Sequence, residues 1–153
     1  MFIKELRDHT INISSSLITS NIRQSILTKL YQDVEGATFN NSYILLVLTI
    51  NNISEGRITN NGDIAFIINY TALSLQLQEN TVIETRVLEL NQMGLFSRIG
   101  PISIFISNHQ IPINVKENLM NSSLIRLRVK GVRYNNGLSV VGSLNEEYLG
   151  VVL

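Results

Sequence analysis

The chain has 153 residues, of which 44% are hydrophobic and 16% are charged, so it has enough apolar material for a folded core and is not typical of a disordered protein. Twelve Lys and Arg residues balance twelve Asp and Glu residues. A dedicated duplex-DNA binder usually carries a basic excess, so we expect any nucleic-acid contact to be local. No apolar run approaches the roughly 18–20 residues of a membrane helix, and we expect neither a membrane partner nor a signal peptide.

The first half begins with two extended pieces, Phe2–Leu6 and Thr10–Ser14. The segment Ser20–Val34 then carries apolar residues at a spacing of four, which predicts an amphipathic helix. Ser20 is the candidate N-cap of this helix, and Gly36 is its candidate terminator.

Strands follow this helix. The segment Tyr43–Ile53 is nearly continuous in apolar residues, which is typical of a central strand covered on both faces. An Asn-Gly turn signal lies within Asn60–Asp63, and Ile64–Leu75 resumes as a long strand. The first half is therefore predicted to be one helix packed on a small antiparallel sheet.

The second half contains short strands separated by turn signals and no amphipathic helix of useful length. Five short strands with glycine at their bends predict a small OB-type barrel, and the whole chain is predicted to be α+β. A boundary near Gln78–Asn80 divides the chain into domains 1–78 and 79–153. The predicted strands are Val82–Leu90, Leu95–Ile99, Ile102–Ile106, Leu124–Val132 and Leu138–Leu144.

The sequence carries no recognisable catalytic motif. It has no Gly-rich phosphate loop and no serine within a Gly-x-Ser-x-Gly elbow. It has no cysteine, which excludes disulfides and thiolate zinc sites, and its histidines, His9 and His109, lie far apart in the chain. We therefore expect no enzymatic activity, no cofactor and no metal site.

Cations alternate with aliphatic residues along one predicted barrel strand. Arg126, Arg128 and Lys130 fall on one face because a strand repeats every two residues. Arg133 extends the basic character past this strand. The face is either a solvated surface or a stripe that tracks RNA phosphates, and the pattern alone leaves both readings open.

Two aromatic residues, Phe96 and Phe105, lie on adjacent predicted strands. OB barrels bind single strands by stacking bases on exposed aromatic rings, with cations along the backbone. The alternative is that both rings belong to the barrel core. Arg98 shares a face with Phe96, and His109 follows in the next loop, so both are candidate RNA-binding residues.

The stretch Met93–Pro112, which reads MGLFSRIGPISIFISNHQIP, resembles the barrel entry of the seventh-subunit family of RNA polymerase II. The ending Gly142–Gly150 and the strand Tyr43–Ile53 also resemble members of this family of polymerase stalk subunits, which has archaeal homologues. The resemblance runs in register along the whole chain.

This resemblance implies a function. The family's first half is a ribonucleoprotein-like domain that docks on the polymerase core, and that role would fall to the loops around Ser14–Ser20 and Gly56–Gly62. The implied partners are the polymerase core subunits, a fourth subunit that forms a heterodimer with this chain, and nascent single-stranded RNA near the barrel. The resemblance also implies a nuclear protein with a role in transcription initiation. The implied docking residues are Gly56, Ile58, Asn61 and Gly62.

The chain departs from the family pattern at two places. The predicted domain junction, Leu75–Val82, lacks the usual proline, aromatic and glycine residues. The segment Ile113–Ser123 replaces a longer insertion between the third and fourth barrel strands. The ending Tyr148–Gly150 and the segment Phe105–Ser107 favour polymerase II over the equivalent subunits of polymerases I and III and of archaea. The equivalent subunit of another polymerase (I, III or viral) stays the alternative within this family. A free OB-fold protein that binds single-stranded RNA is the alternative from a different class.

Overall fold

The computed structural model describes residues 2–18, 20–39, 41–135 and 137–152. The chain divides into two compact units, Met1–Gln76 and Leu77–Leu153, and each is described by itself. The first unit is a helix with an antiparallel sheet, and the second is a closed barrel. The predicted α+β class with an OB-type barrel is confirmed. The predicted boundary near Gln78–Asn80 stays a proposal.

In the first unit, strands β1, β5 and β3 lie side by side in that order, with the short β2 beyond β3 and the short β4 paired with β5. One helix, α1, follows a short 3-10 turn at Ser15–Leu17. The elements are β1 (Phe2–Ile13), α1 (Ile22–Val34), β2 (Thr38–Phe39), β3 (Ser42–Ile53), β4 (Arg57–Ile58) and β5 (Ile64–Leu75).

Strand β1 is a single strand of 12 residues, so the prediction of two separate pieces was wrong. It pairs with β5 without interruption, from Phe2 opposite Leu75 to Ile13 opposite Ile64. The polar residues Arg7, Asp8 and His9 hid this continuity in the sequence. They stay in the strand because the long β5 supplies backbone partners throughout.

Strand β3 is not the central strand of the sheet, so that prediction was also wrong. The central strand is β5, which lies between β1 and β3. Three register shifts against β5 insert an extra β3 residue each time. A bulge places two residues opposite one, so the residues that face the helix recur every three positions instead of every two. These helix-facing residues are Ile44, Val47, Ile50 and Ile53.

Helix α1 packs its apolar stripe on one face of the sheet. Ile26, Leu30 and Val34 are buried against a core that includes Ile68 and Tyr70. The helix begins after Asn21, not Ser20, because the main-chain carbonyl of Asn21 accepts the amides of Gln24 and Ser25. The helix ends at Val34, and the predicted terminator Gly36 follows two residues later with a φ of +82°, which suits glycine.

A cluster of polar side chains around the carboxylate of Glu5 ties together β1, β3 and β5 at the end of the sheet where β1 begins. Glu5 on β1 accepts hydrogen bonds from Ser74 Oγ (2.8 Å), Ser42 Oγ (3.0 Å) and Arg7 Nε (3.0 Å). Gln76 Nε2 donates to Glu5 at 3.2 Å and to Ser42 at 2.9 Å. Burial alone raises the pKa of Glu5, but these hydrogen bonds and the charge of Arg7 outweigh it and lower the pKa.

The second unit is built from short strands with glycine at their bends. All five predicted strands are present, with ends that differ by at most one residue from the prediction. A short helix α2 (Ile113–Lys116) and a short edge strand β11 (Gly150–Val151) were not predicted. The barrel strands are β6 (Val82–Leu90), β7 (Gly94–Ile99), β8 (Ile102–Ser107), β9 (Leu124–Arg133) and β10 (Leu138–Ser143).

The barrel is closed by β9, which joins β6 to β10 and also pairs with the short β11. Its first half pairs with β6, and its second half pairs with β10. The order around the barrel is therefore β6-β7-β8-β10-β9 and back to β6, with β8 and β10 parallel. The interior is filled by aliphatic side chains, which include Leu95, Ile104, Ile106, Ile125, Leu127 and Val140.

Replacing Glu5 with Gln is expected to lower the free energy of unfolding at neutral pH and to flatten its decline in acid. The folded-state pKa of Glu5 lies below its ordinary value of 4.5. The stability that this carboxylate contributes is complete above that value and is lost as the pH falls through the lowered folded-state pKa. Urea unfolding followed by circular dichroism across the acid range measures the difference. Glu55→Gln, which changes an exposed carboxylate of the same unit, is the control. Parallel pH curves for the wild type and Glu5→Gln would contradict the assignment.

Candidate nucleic-acid interface

The outer face of the barrel at β7 and β8 carries the two predicted aromatic residues. Phe96 and Phe105 lie directly opposite each other, and their ring centroids are 4.9 Å apart. Neither ring belongs to the core, because both are partly exposed while Leu95 and Ile106 beside them are buried. In OB folds, the face formed by the second and third strands, here β7 and β8, is the usual surface for oligonucleotides.

The strand register extends this aromatic pair into a row. Val141 on β10 lies beside Phe105, and Gly131 on β9 lies beside Val141. Val141 is 44% exposed, so the apolar surface continues from the rings onto β10. We call Phe96, Phe105 and Val141 the apolar row. Sequence reasoning missed Val141, although the two-residue period of a strand with Leu138 and Val140 inside could have placed it outside.

A second row lies two residues along the same strands. Arg98 on β7 is opposite Ser103 on β8, Ser103 is beside Ser139 on β10, and Ser139 is opposite Arg133 on β9. Two residues along a strand span about 6.6 Å, so this polar row runs parallel to the apolar row at that spacing. Arg98, Ser103, Ser139 and Arg133 form the polar row, which has a cation at each end.

The close approach of β7 and β8 requires glycine at one position. Gly94 has a φ of +153°, and a Cβ atom there would lie 2.1 Å from the carbonyl oxygen of Ile106. A side chain at this position would therefore push apart the two strands that hold the rings. The Met93-Gly94 turn signal in the sequence thus marks a close approach of two strands as well as a bend.

The predicted basic stripe on β9 divides into two parts. Arg126, Arg128 and Lys130 alternate with the buried Ile125, Leu127 and Val129, as predicted. Arg126, however, forms two hydrogen bonds with Glu84, at 3.0 and 2.8 Å, from the directly opposite position on β6.

Arg128 is engaged by more groups. Its Nε lies 3.0 Å from Glu146, its Nη1 donates to the carbonyl of Asn80 at 2.7 Å, and it lies over the Tyr148 ring at 5.5 Å. These contacts fix the C-terminal segment to the barrel wall. A phosphate would have to displace several existing partners of Arg128.

The second half of β9 carries two exposed cations, Lys130 and Arg133, that are available to a ligand. Within the part of the chain that the structure describes, neither Lys130 nor Arg133 lies within hydrogen-bonding or ion-pair distance of a protein acceptor, and both are exposed. This half of β9 pairs with β10, beside the apolar row. On the opposite side, Glu89 of β6 lies next to Phe96. The charge on this face therefore runs from acidic at β6 to basic at β9.

His109 lies apart from the cations of the polar row. It sits in the 3-10 turn after β8, at the end of the β7–β8 hairpin where Gly94 pairs with Ser107. Arg98 lies at the other end of the same hairpin, where its Nε donates to the carbonyl of Gly100 at 3.1 Å. His109 is exposed, but the structure does not bring it together with Arg98 or with the β9 cations.

The predicted docking residues lie together at one end of the first unit. Ile58 on β4 is 78% exposed, and the turn that follows contains Asn61 and Gly62. Gly62 has a φ of +81° and donates to the carbonyl of Thr59. Gly56 precedes β4, and a Cβ atom there would lie 2.7 Å from Ile64.

A cleft at this end is lined by residues of the first predicted docking loop and by Asp63, which directly follows the second. It has a volume of about 690 Å³ and is lined by Ser14 and Ser16 after β1, by Lys29 of α1 and by Asp63 before β5. Of the two loops named from the sequence, Ser14–Ser20 lines this cleft and Gly56–Gly62 ends next to it at Asp63; Thr19 lies outside the described residues.

Among the residues that the structure describes, no helix is long and apolar enough to cross a bilayer. No group of three or more His, Cys, Asp or Glu residues there could hold a metal ion.

The chain was then compared with known proteins. Residues 76–141 match the model of the S1 RNA binding domain. Over 99% of its length, the chain is 29% identical to the RNA polymerase II subunit RPB7 of Schizosaccharomyces pombe, covering 98% of that protein. The chain is similar to RPB7 subunits of RNA polymerase II over nearly its whole length. The Saccharomyces cerevisiae RPB7 is 28% identical, with 99% of each chain covered, and the Glycine max RPB7 is 25% identical, with 99% of this chain and 97% of that protein covered.

The resemblance stated from the sequence is therefore confirmed. The RPB7 matches extend over nearly the whole chain, so they include the first unit as well as the barrel. The matched S1 residues contain β6 to β9 and most of β10, and so both the apolar row and the polar row.

Proposed function

We propose that the chain is a non-catalytic stalk subunit of RNA polymerase II. The observation that carries this proposal is the similarity to RPB7 subunits along both units of the chain. Those relatives are named as subunits of a DNA-directed polymerase, and this chain lacks recognisable catalytic motifs of its own. The proposal includes residence in the nucleus, docking on the polymerase core, pairing with a fourth-subunit partner and a role in transcription initiation.

Docking is assigned to the end of the first unit that carries Gly56, Ile58, Asn61 and Gly62. Ile58 is a large apolar side chain exposed on a short, two-residue strand, which suits burial against another protein. The adjoining polar cleft offers hydroxyl groups from Ser14 and Ser16. Both features support a protein contact at this end.

Guidance of nascent RNA is assigned to the outer face of β7, β8 and β10. Bases would stack on Phe96 and Phe105, and the phosphate backbone would follow the polar row. The acidic Glu89 at one side and the basic Lys130 and Arg133 at the other favour a backbone path toward β9. Arg126 and Arg128 then act mainly as structural ties and contribute little to RNA binding.

The alternative function is a free RNA-binding protein built on the S1 domain. The match of residues 76–141 to that domain is compatible with it. The similarity of the first unit to RPB7 subunits favours the polymerase instead, because a free barrel protein does not need this unit.

Affinity purification tests the polymerase assignment. The tagged chain is expected to recover the large polymerase II subunits and a fourth-subunit partner in stoichiometric amounts. Ile58→Asp should reduce this recovery severalfold, because it places a charge in the proposed contact, while Leu88→Asp on the barrel is the matched control. Recovery of ribosomal or RNA-decay proteins without polymerase subunits would exclude the proposal, and so would recovery of subunits specific to another polymerase.

Anisotropy titrations of the purified chain with a fluorescent oligouridine test the RNA assignment. Phe105→Ala is expected to weaken binding by about 1–3 kcal/mol if a base stacks there. Arg133→Ala is expected to make the slope of log K against log salt shallower by about 0.7, the value for one lost phosphate contact on a single strand.

The matched control for Arg133 is Arg126→Ala on the same strand, which should leave this slope unchanged because Arg126 is paired with Glu84. A loss of slope with Arg126→Ala but not with Arg133→Ala would reverse the assignment. Circular dichroism of each variant separates lost binding from lost folding.

A further inference from the structure

No strand of the described residues pairs with the outer edge of β1, and the hydrogen bonds of β5 fix which main-chain groups of β1 point to that free edge. Ile67 on β5 uses its N–H and its C=O to bond Ser54, on the side away from β1. Thr10, which is opposite Ile67, is therefore in a non-hydrogen-bonded pair, and its own N–H and C=O point to the free edge. Because the ladder has no bulge, the same holds for every even-numbered residue from Phe2 to Asn12. Lys29 Nζ donates to the carbonyl of Asn12 at 2.7 Å from that side, which agrees with this direction.

This edge lacks most of the features that protect sheet edges. Natural proteins protect them with short strands, bulges, proline or charge. The opposite edge has three bulges in β3 and a strand β2 of two residues. Strand β1 has 12 residues without a bulge or proline, and its side chains Phe2 and Leu6 are 63% and 73% exposed. Such an edge is suited to accept another strand.

The charges along β1 identify which strand fits. Around Leu6 the sequence reads Lys4-Glu5-Leu6-Arg7-Asp8, so residues at equal distances from Leu6 carry opposite charges. A two-fold axis through Leu6 would pair this strand antiparallel with the same strand of a second copy. Lys4 would then lie opposite the second copy's Asp8 on one face of the sheet.

On the other face, Glu5 would lie opposite the second copy's Arg7, and each of these contacts occurs twice. The two Leu6 side chains would meet at the axis. The paired stretch would run from Phe2 to Thr10 and leave Asn12 bonded to Lys29.

Every neighbouring register is disfavoured by like charges. In an edge-to-edge pair, the residues whose main-chain groups point to the free edge must lie opposite one another. The next possible registers therefore move the two-fold axis by one residue at a time. With the axis at Glu5, the two Glu5 residues of the dimer lie opposite each other, and with the axis at Arg7 the two Arg7 residues do. Moving it to Lys4 or Asp8 does the same for those residues. Like charges directly opposite in a sheet are destabilising, and opposite charges are stabilising.

We infer that the free edge of β1 is a self-association surface, through which two copies of the chain form an antiparallel dimer centred on Leu6. This inference goes beyond the proposed function and does not depend on it, because it concerns the isolated chain. Each dimer has four opposite-charge cross-strand pairs and an apolar centre. High salt weakens it, because the Lys4–Asp8 pairs are exposed to solvent.

Sedimentation velocity of the purified full chain over a range of concentrations tests the inference. The wild type is expected to show a reversible monomer–dimer equilibrium. Leu6→Lys places two ammonium groups at the axis and should give a monomer at every concentration. Leu88→Lys, an equally drastic change at an exposed barrel leucine, should leave the dimer intact. Circular dichroism checks that each variant is folded.

A charge swap separates this surface from a general loss of structure. Lys4→Glu is expected to weaken the dimer about tenfold, because each of two opposite-charge pairs becomes a like-charge pair. The double change Lys4→Glu with Asp8→Lys restores opposite charges and should restore the dimer. A monomeric wild type, a dimer that survives Leu6→Lys, or a folded double variant that stays monomeric would each overturn the inference.

Discussion

The pairing of β9 with both β6 and β10 is the constraint on which the proposed RNA interface depends. Its first half bonds to β6 and its second half to β10, and this closes the barrel. Closure fixes the register of β10 against β8, which in turn places Val141 beside Phe105 and Ser139 beside Ser103. The apolar row and the polar row exist because four strands are held in one register.

The same strand explains why similar side chains have different roles. Arg126 and Arg128 lie where β9 meets β6 and the C-terminal segment, so carboxylates and a carbonyl already surround them. Lys130 and Arg133 lie where β9 meets β10, next to serine, glycine and valine. One basic stretch thus provides structural ties at one end and exposed cations at the other.

The first unit shows a similar division between closed and open edges. Bulges disrupt β3 at one side of the sheet, whereas β1 is regular at the other. The Glu5 cluster fastens β1 to its neighbours through side chains, which leaves the main-chain groups of the outer edge free. The main-chain groups at this edge therefore remain available for strand addition.

Local patterns predicted much of this structure. The barrel strands were found nearly to the residue, because glycine turns and alternation are local signals, and the period of four located α1. Strand β1 was predicted as two pieces because its middle is polar, and it is continuous because β5 pairs with it. Strand β3 was misplaced because its bulges give a period of three, which no simple strand pattern contains.

The candidate interface was predicted in part. Phe96, Phe105 and Arg98 were placed on one face by strand alternation, and the structure has them on the outer face of β7 and β8. The separation of Arg126 and Arg128 from Lys130 could not be predicted, since it depends on Glu84 and Glu146, which are distant in sequence. The role of Arg133 beside β10 likewise depends on a strand register that the sequence does not display.

Cross-linking of the polymerase-bound chain to RNA that contains photoreactive 4-thiouridine tests the central claim most directly. If RNA follows the outer face of β7, β8 and β10, cross-links are expected in the peptides that contain Phe96 and Phe105, with none at Arg126 or Arg128. Cross-links concentrated where β9 meets β6, with Phe96 and Phe105 unmodified, would contradict this path.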